Sequence, residues 1–230
     1  MLQKTPKNDE PSRSLVISAP NMKIAQFHIR GVSPYQQSRF TEKAINAMRA
    51  KQEAGGQGNT KRIREAKDFD AAYEGAKHVS SEGWCGIPAG AFRTGMIDCC
   101  RLVGYKMTFA KLSIFVEPDG FDRVDGDPLV KIIGEPEMTI KGMRNDNGGM
   151  DLRARPMWRD WEVILHVRFD EDQFALEDVS NLLSRVGQQC GVGEGRPNSR
   201  ESPGCGFGLF EILGDAPTIR TNKIPPKKKR

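Results

Sequence analysis

Six glycines stand at two-residue spacing near the end of the chain, in two clusters on either side of an arginine. The stretch reads GVGEGRPNSRESPGCGFGLFEI, residues 191 to 212, and its clustered glycines are Gly191, Gly193, Gly195, Gly204, Gly206 and Gly208. Glycine weakens helices and strands, so such a run is typical of backbone that needs positive φ or that something must approach closely. Arg196 lies between the clusters, and bare backbone beside a guanidinium suits contact with a phosphodiester chain. A plain flexible loop stays open as the alternative.

The glycine run does not fit a nucleotide-binding motif. A dinucleotide fingerprint follows the first strand and opens a helix. This run follows a predicted helix and precedes a predicted strand. It also lacks the Gly-Lys-Ser/Thr ending of a phosphate-binding loop. The sequence therefore argues against a nucleotide cofactor.

Patterns for catalysis or metal binding are weak. Asp170, Glu171 and Asp172 stand at a strand-to-helix junction, where acidic residues commonly favour the helix N-terminus. His28 and His166 each lie in a predicted strand and could meet across a sheet, but the sequence ties no serine or cysteine to them. The five cysteines form no Cys-x-x-Cys pair, and the three histidines are far apart. We expect no enzymatic activity, no metal and no cofactor.

Composition favours an anionic partner inside the cell. The 230 residues carry a formal net charge of +5, but residues 227–230 supply four of the positive charges, so a binding surface must come from local clustering. No apolar run approaches the roughly 18 residues of a membrane span, and the polar N-terminus predicts no signal peptide. We therefore expect a cytoplasmic protein with no membrane partner. The tail PPKKKR is similar to a nuclear-import signal and equally typical of a basic arm or an appended remnant.

Hydrophobic periodicity predicts the order strand, helix, strand, excursion, strand, helix, strand. The first strand ends at Gly31, and a helix follows Pro88 with Phe92, Met96, Cys99 and Val103 on one apolar stripe up to Gly104. A further short helix is predicted from Thr41. The other elements are the strands AKLSIFVEP, WEVILHVRFD and GFGLFEILG and the amphipathic helix FALEDVSNLLSRVGQQCG. This order is compatible with an α+β sandwich of the ferredoxin-like type.

The same pattern predicts one domain over residues 21–215. A disordered N-terminus (1–20) and a disordered basic tail (216–230) flank it, and insertions occupy about 41–80 and 118–155. The second insertion is too long for an ordinary connection, and its turn-rich segments DGFDRVDGDP and RNDNGGMD predict a projecting hairpin.

Trp158 and Trp161 form the best aromatic and basic neighbourhood, beside Arg153, Arg155 and Arg159. The sequence leaves two alternatives for the tryptophans: they stack on bases, or they pack under a loop.

Two stretches together resemble a known family. GIPAGAFRTGMIDCCRLVG and the glycine-rich terminal stretch are similar to the RAMP superfamily, the RNA-binding proteins of CRISPR effector complexes. Residues 87–93 and Gly95 approximate the family's proline-led helix motif, and Ser33 and Pro34 approximate an early turn. The similarity spans most of residues 24–213, and the helix and glycine segments are its specific parts.

The resemblance implies a backbone subunit that multimerises along a guide RNA with other effector subunits, in a CRISPR complex or in a phage or mobile-element relative. Such subunits have a ferredoxin-like palm and a thumb hairpin, for which 118–155 is the candidate here. By position, Arg93, Arg101, Arg196 and the six glycines would contact RNA phosphates, and we add Arg153 and Arg155 from the aromatic neighbourhood. We therefore expect a non-catalytic RNA-binding protein. The alternatives are a phage-type single-stranded DNA binding or annealing protein and a RAMP-like endoribonuclease that uses His28 or His166.

Overall fold

A computed structural model describes residues 18–39, 46, 49, 50, 53, 67–144, 150–199 and 204–220. Positions 46, 49, 50 and 53 are helical, in the region of the short helix predicted from Thr41. The rest of that helix, most of the predicted N-terminal tail, much of the insertion at 41–80 and the end of the basic tail lie outside the described residues.

The described chain has a large antiparallel sheet of seven strands, consistent with the α+β class. Its strands are β1 (Met22–Gly31), β3 (Gly86–Pro88), β4 (Ile114–Glu117), β5 (Gly120–Phe121), β6 (Pro128–Ile133), β9 (Glu162–Asp170) and β10 (Phe210–Arg220). β9 pairs with β1 along its whole length, and β4 and β6 share its other edge. β10 pairs with the free edge of β1. Three of these pairings, β10 with β1, β1 with β9 and β9 with β4, give the strand order β10, β1, β9, β4.

One face of this sheet carries the hydrophobic core. Along β9 the side chains alternate as the sequence predicts, with the odd-numbered residues 163–169 buried and the even-numbered residues 162–170 partly exposed. In β1, Ala25, Phe27 and Ile29 are buried on the same face. The opposite face of the sheet is partly exposed and carries both polar and apolar side chains, and on this open face lie His28 and His166.

Helices cover the apolar face. They are α2 (Ala89–Cys99), α3 (Met107–Ser113) and α4 (Leu176–Arg185), and a π-helical turn (Val186–Cys190) continues α4. A further helix, α1 (Phe69–Gly75), buries none of its residues and packs instead against the strand Met150–Trp158. α2 connects β1 to the strands that follow it, α4 connects β9 to β10, and the two pack against each other. Among the described residues, no helix is long and apolar enough to cross a membrane.

Helix α2 ends earlier than its apolar stripe predicts. Phe92, Met96 and Cys99 are buried as expected, but Val103 is 50% exposed. The chain leaves the helix after Cys99 in a turn in which Tyr105 N–H donates to the Cys100 carbonyl oxygen (2.9 Å). Gly104 has a φ of 70° in that turn, so it lies beyond the helix, whose C-cap is Cys100, and does not close it as predicted.

The long excursion is divided between two sheets. β6 belongs to the large sheet, because it pairs with β9 and β3, and its Leu129, Val130 and Ile132 are buried there. The projecting hairpin is therefore shorter than 118–155. It consists of β7 (Glu137–Arg144) and β8 (Met150–Trp158), which form a separate three-stranded sheet with β2 (Tyr35–Gln36).

Two element boundaries also differ from the sequence prediction. The strand predicted over AKLSIFVEP is helical up to Ser113 and extended only in β4. β10 continues to Arg220, which pairs with Ile24, so residues 216–220 form strand rather than tail.

Candidate nucleic-acid interface

A cleft of about 510 Å³ lies between the N-terminal half of α2 and the glycine-rich loop, which we define as residues 191–199 and 204–209. Besides these two elements, its walls include Tyr35, Gln37 and Ser38, which follow the first strand, and His78, which precedes β3. The two stretches that carry the family resemblance therefore face each other across one cavity.

The first turn of α2 brings bare backbone to the cleft at Gly90, whereas Thr94 and Asp98 line it further along the helix. Pro88 occupies the N-cap, and no side chain caps the first turn of the helix. Gly90 in that turn lines the cleft, and no described atom outside its own helix turn lies within 4 Å of the position that a Cβ would take. Gly95, one turn further on, differs, since an added Cβ would lie 2.7 Å from Val186 Cγ1. Tight packing thus explains Gly95 and does not explain Gly90.

In its described part, the glycine-rich loop has a defined, hydrogen-bonded conformation and is not the plain flexible loop of the alternative interpretation. Cys205 N–H donates to the Gly195 carbonyl oxygen (2.7 Å), which joins the two glycine clusters. Val192 N–H donates to Gly208 O (3.0 Å), and Gly208 N–H donates to Pro34 O (2.8 Å). All six glycines of the run have φ between 67° and 81°, where residues with a Cβ are disfavoured. The run therefore encodes a defined backbone conformation.

Close packing adds to this requirement at some of the glycines. An added Cβ on Gly193 would lie 2.5 Å from the Gln36 carbonyl oxygen and 2.5 Å from a ring carbon of Tyr35. At Gly206 the same test finds no described atom within 4 Å. Gly193 is thus required by the protein's own packing, whereas the space around Gly206 is open.

Three basic side chains gather at this loop. Arg196 lines the cleft, and its Nη1 donates to the Gly193 carbonyl oxygen (3.0 Å). Arg155 of β8 contacts the loop through an ion pair with Glu194. Nζ of Lys141 in β7 lies 4.4 Å from the centre of the Phe207 ring. The sequence prediction included Arg155 and Arg196 and missed Lys141. The local sequence does not indicate a role for this lysine, because only the register of the hairpin places it beside the loop.

Arg153 shares a strand face with Arg155, because the two are two residues apart in β8. Its Nε lies 3.8 Å from Asp151 Oδ2. It therefore lies on the side of the hairpin that carries the loop contacts.

Arg93 and Arg101 are placed elsewhere. Arg93 donates to the main-chain oxygens of Ile114 (2.9 Å) and Lys111, so it fastens α2 to the junction of α3 and β4. Arg101 is exposed in the turn after α2, where its Nε lies 3.0 Å from the sulfur of Met107. The described lining of the cleft includes neither arginine.

The tryptophan pair belongs to the core. Trp158 is 0% and Trp161 2% exposed, and both rings lie 5.5 Å from the ring of Tyr35, centre to centre. Trp161 Nε1 donates to the Ser33 carbonyl oxygen (2.9 Å). Of the two alternatives, packing is therefore the one that the structure shows, because neither ring is available to a base.

The two histidines of the open sheet face are diagonal neighbours, since His166 pairs with Gln26 and His28 pairs with Ile164. His28 Nε2 lies 2.7 Å from a carboxylate oxygen of Glu162, and His166 Nε2 lies 3.3 Å from Gln26 Oε1. Both rings are thus engaged on that face, and neither is part of the described cleft lining.

His78 is the histidine that reaches the cleft, and the sequence analysis missed it. Its ring and the carboxylates of Asp122 and Asp125 have ligand atoms within 4.8 Å of one another, a spacing that could hold a metal ion. Arg39 already bonds both carboxylates, at 3.4 Å to Asp122 and 2.8 Å to Asp125. A cation is therefore supplied by the protein itself. Partial burial raises the pKa of Asp125, but the hydrogen bonds from Arg39 and the Asp127 backbone outweigh it and lower that pKa.

Two buried thiols meet where the cleft reaches the core. Cys99 Sγ at the end of α2 lies 3.4 Å from Cys190 Sγ, directly before the glycine-rich loop. The hydrogen bond from Cys99 lowers the pKa of the Cys190 thiol, and the same contact, with burial, raises the pKa of Cys99.

Comparison with known proteins gave no match, neither with a family model nor with a curated protein. The functional conclusion therefore depends on the geometry of the cleft.

Proposed function

We propose that the chain binds single-stranded RNA in the cleft between α2 and the glycine-rich loop. Gly90 carries this proposal, because it lies in the first turn of a helix, lines the cleft and has open space beside it. A glycine inside a helix costs about 1 kcal/mol relative to alanine. On this proposal, glycine occupies position 90 because the backbone of a ligand needs the space beside it, which no described neighbour fills.

The chemistry of the two walls suits a phosphodiester chain. The uncapped first turn of α2 presents backbone N–H groups at the positive end of the helix dipole, where anions bind. Arg196 supplies a guanidinium from the loop wall, and phosphate oxygens are the acceptors that both groups favour. These contacts are made to the backbone, so the binding would depend little on base sequence.

We extend the proposal to a RAMP-type backbone subunit in a CRISPR-like ribonucleoprotein. The strand order β10, β1, β9, β4, with α2 and α4 as the two connecting helices, supports a ferredoxin-like palm. The β7–β8 hairpin supports the role of a thumb. On this proposal the chain multimerises head to tail along a guide RNA in the cytoplasm, since contacts of that kind form open helical filaments.

The variants Gly90→Glu and Gly90→Gln test the cleft directly. Both replace a helix glycine by a good helix former, so the fold should gain up to about 1 kcal/mol. Glutamate also suits the first turn of a helix, but it places a negative charge in the cleft. We expect Gly90→Glu to abolish RNA binding at unchanged or higher thermal stability, and Gly90→Gln to weaken it less. Equal RNA affinity of wild type and Gly90→Glu would contradict the proposal.

RNA bound during expression provides a second test. Purified wild-type protein should carry RNA, seen as absorbance at the nucleic-acid maximum and as extracted strands. Competition between RNA and DNA strands of the same sequence then separates this function from single-stranded DNA binding, because only RNA has the 2′-hydroxyl. A clean monomer without nucleic-acid affinity at low salt is the result that would exclude both.

A further inference from the structure

Cys99 and Cys190 form a pair of thiols that the proposed RNA contacts do not use. Their sulfurs lie 3.4 Å apart. Cys99 is the last residue of α2, and Cys190 is the last residue before the glycine-rich loop. The two residues are 91 positions apart in the chain. Their contact therefore joins an element of each cleft wall at the place where the cleft reaches the core.

Asn198 holds the two backbones together around this contact. Its N–H donates to the Cys190 carbonyl oxygen (3.1 Å), and its Nδ2 donates to Oδ2 of Asp98, the residue before Cys99 (3.1 Å). The sulfurs of a disulfide are about 2.0 Å apart, so these two must approach each other by about 1.4 Å. The fold therefore brings the thiols most of the way to a bond before any reaction begins.

Of the two thiols, only Cys190 is open to a small molecule in the cleft. Cys190 lines the cleft and is 6% exposed, whereas Cys99 is 0% exposed and is not part of the described lining. Cys100, the next residue, points elsewhere, since its Sγ lies 3.4 Å from the Met96 carbonyl oxygen one turn back. A reagent that enters the cleft therefore meets Cys190 first, and Cys99 is the thiol in contact with it.

The electrostatics of the pair assign the same order. The hydrogen bond from Cys99 lowers the pKa of the Cys190 thiol, and the guanidinium of Arg196 lowers it further. Together they outweigh burial and the carboxylate of Asp98, which raise that pKa. The hydrogen bond and burial raise the pKa of Cys99. Because the thiolate is the nucleophile, Cys190 is the thiol that attacks.

We propose that Cys190 and Cys99 form a site of reversible oxidation by hydrogen peroxide, at which Cys190 reacts first and Cys99 then closes a disulfide. In the first step the Cys190 thiolate attacks one peroxide oxygen. The S–O bond forms, the O–O bond breaks, and the departing hydroxide takes up the proton that the thiol released, which leaves a sulfenic acid. In the second step Cys99 attacks the Cys190 sulfur, the S–S bond forms, and the hydroxyl group leaves as water with the Cys99 proton.

The two steps convert two thiols and one peroxide into one disulfide and two waters, and two electrons pass from sulfur to oxygen. The disulfide ties the end of α2 to the start of the glycine-rich loop, and a dithiol reductant reverses it by exchange. This site goes beyond the proposed function, because its reaction needs no RNA in the cleft.

Peroxide treatment of the folded protein, followed by alkylation of the remaining thiols and peptide mass spectrometry, tests the site. A Cys205→Ser background removes the exposed thiol. We expect a peptide pair that is linked through Cys99 and Cys190 and separated by dithiothreitol. The midpoint of thermal unfolding should rise by roughly 5–10 °C on oxidation, because the bond restricts the unfolded chain, and should return on reduction. Cys100→Ala, which removes the neighbouring buried thiol, is the matched control and should form the same disulfide.

Two serine variants test the order of reaction with dimedone, a reagent that labels sulfenic acids. Cys99→Ser keeps a hydrogen-bond donor beside Cys190 but cannot form the disulfide. Its Cys190 should therefore accumulate as sulfenic acid and be labelled. Cys190→Ser leaves the buried Cys99 as it is, and Cys99 should stay unlabelled.

Three results would overturn the inference: no disulfide after peroxide treatment, a bond from Cys190 to Cys85 or Cys100, and dimedone on Cys99 in Cys190→Ser. A disulfide that appears only in protein without a thermal unfolding transition would also overturn it, because that bond would come from unfolded chains. The mapping in the Cys205→Ser background decides even if a serine variant at position 99 or 190 fails to fold. Since no RNA is added, failure of this test is distinct from failure of the proposed function.

Discussion

Arg155 Nε in strand β8 lies 3.1 Å from Glu194 Oε2 in the glycine-rich loop, with the two side chains 17% and 22% exposed. This ion pair joins the projecting hairpin to the loop that forms one wall of the cleft. It also affects the charge of that wall, because Glu194 lines the cleft together with Arg196, and Arg155, which is not in the described lining, neutralises Glu194.

Removing Arg155 and removing Glu194 should have opposite effects on RNA affinity. Both Arg155→Met and Glu194→Gln lose the same ion pair, at a cost of about 1–2 kcal/mol in the free energy of unfolding. Arg155→Met leaves an unpaired carboxylate in the cleft, so its RNA affinity should fall. Glu194→Gln removes that carboxylate, so its RNA affinity should rise. Urea unfolding and RNA titration measure the two effects, and parallel losses of affinity would show that the pair acts only through the fold.

Gly193 and Gly206 should differ in their effect on stability, although both have positive φ. A Cβ at either position costs about 1–2 kcal/mol in backbone strain. Gly193→Ala additionally forces a contact with Tyr35, for which overpacking adds about 1–3 kcal/mol. Gly206→Ala lacks this second cost, and Gly206→Asn should be the mildest change because asparagine tolerates left-handed backbone. Thermal unfolding of the three variants should rank them in this order; equal loss in Gly193→Ala and Gly206→Ala would contradict the packing at Tyr35.

Asp125 should make the folded state sensitive to acid. Its pKa is lowered in the folded protein, so the stability that it contributes is present above its ordinary value near 4 and is lost as pH falls below it. The side chain is 35% exposed, and screening limits the effect to about 1 kcal/mol. Urea unfolding at neutral pH and at about pH 3 should show a smaller acid-induced loss for Asp125→Asn than for wild type. The same loss in both proteins would exclude a contribution from this carboxylate.

Cys190 should be alkylated before Cys99. The hydrogen bond that lowers the pKa of Cys190 raises the pKa of its partner, and the thiolate is the reactive form. Iodoacetamide labelling followed by peptide mass spectrometry measures the order, in a Cys205→Ser background that removes the exposed thiol. Cys99→Ala in that background should slow the labelling of Cys190. Faster labelling of Cys99 than of Cys190 would reverse the assignment of donor and acceptor.

Local pattern was sufficient for the elements with strong periodicity. β1, β9, α2 and α4 lie where the spacing of apolar residues predicts them, because burial of one face imposes a period on the sequence. It was insufficient at Val103, where the apolar spacing continues beyond Cys99 but the chain turns. The local pattern also could not give the boundaries of the hairpin, since only pairing with β9 distinguishes β6 from the two strands that follow.

The sequence by itself determined that the chain would need unusual backbone in residues 191–208 and a proline-led helix after Pro88, because glycine and proline restrict or free φ wherever they stand. Only the tertiary structure decided that these two stretches face each other, that Gly193 serves packing while Gly90 leaves space, and that Arg93 lies away from the cleft. It also brought His78 to Asp122, which are 44 residues apart. Contacts between distant residues follow from strand register and helix packing, and neither is written in the local order of side chains.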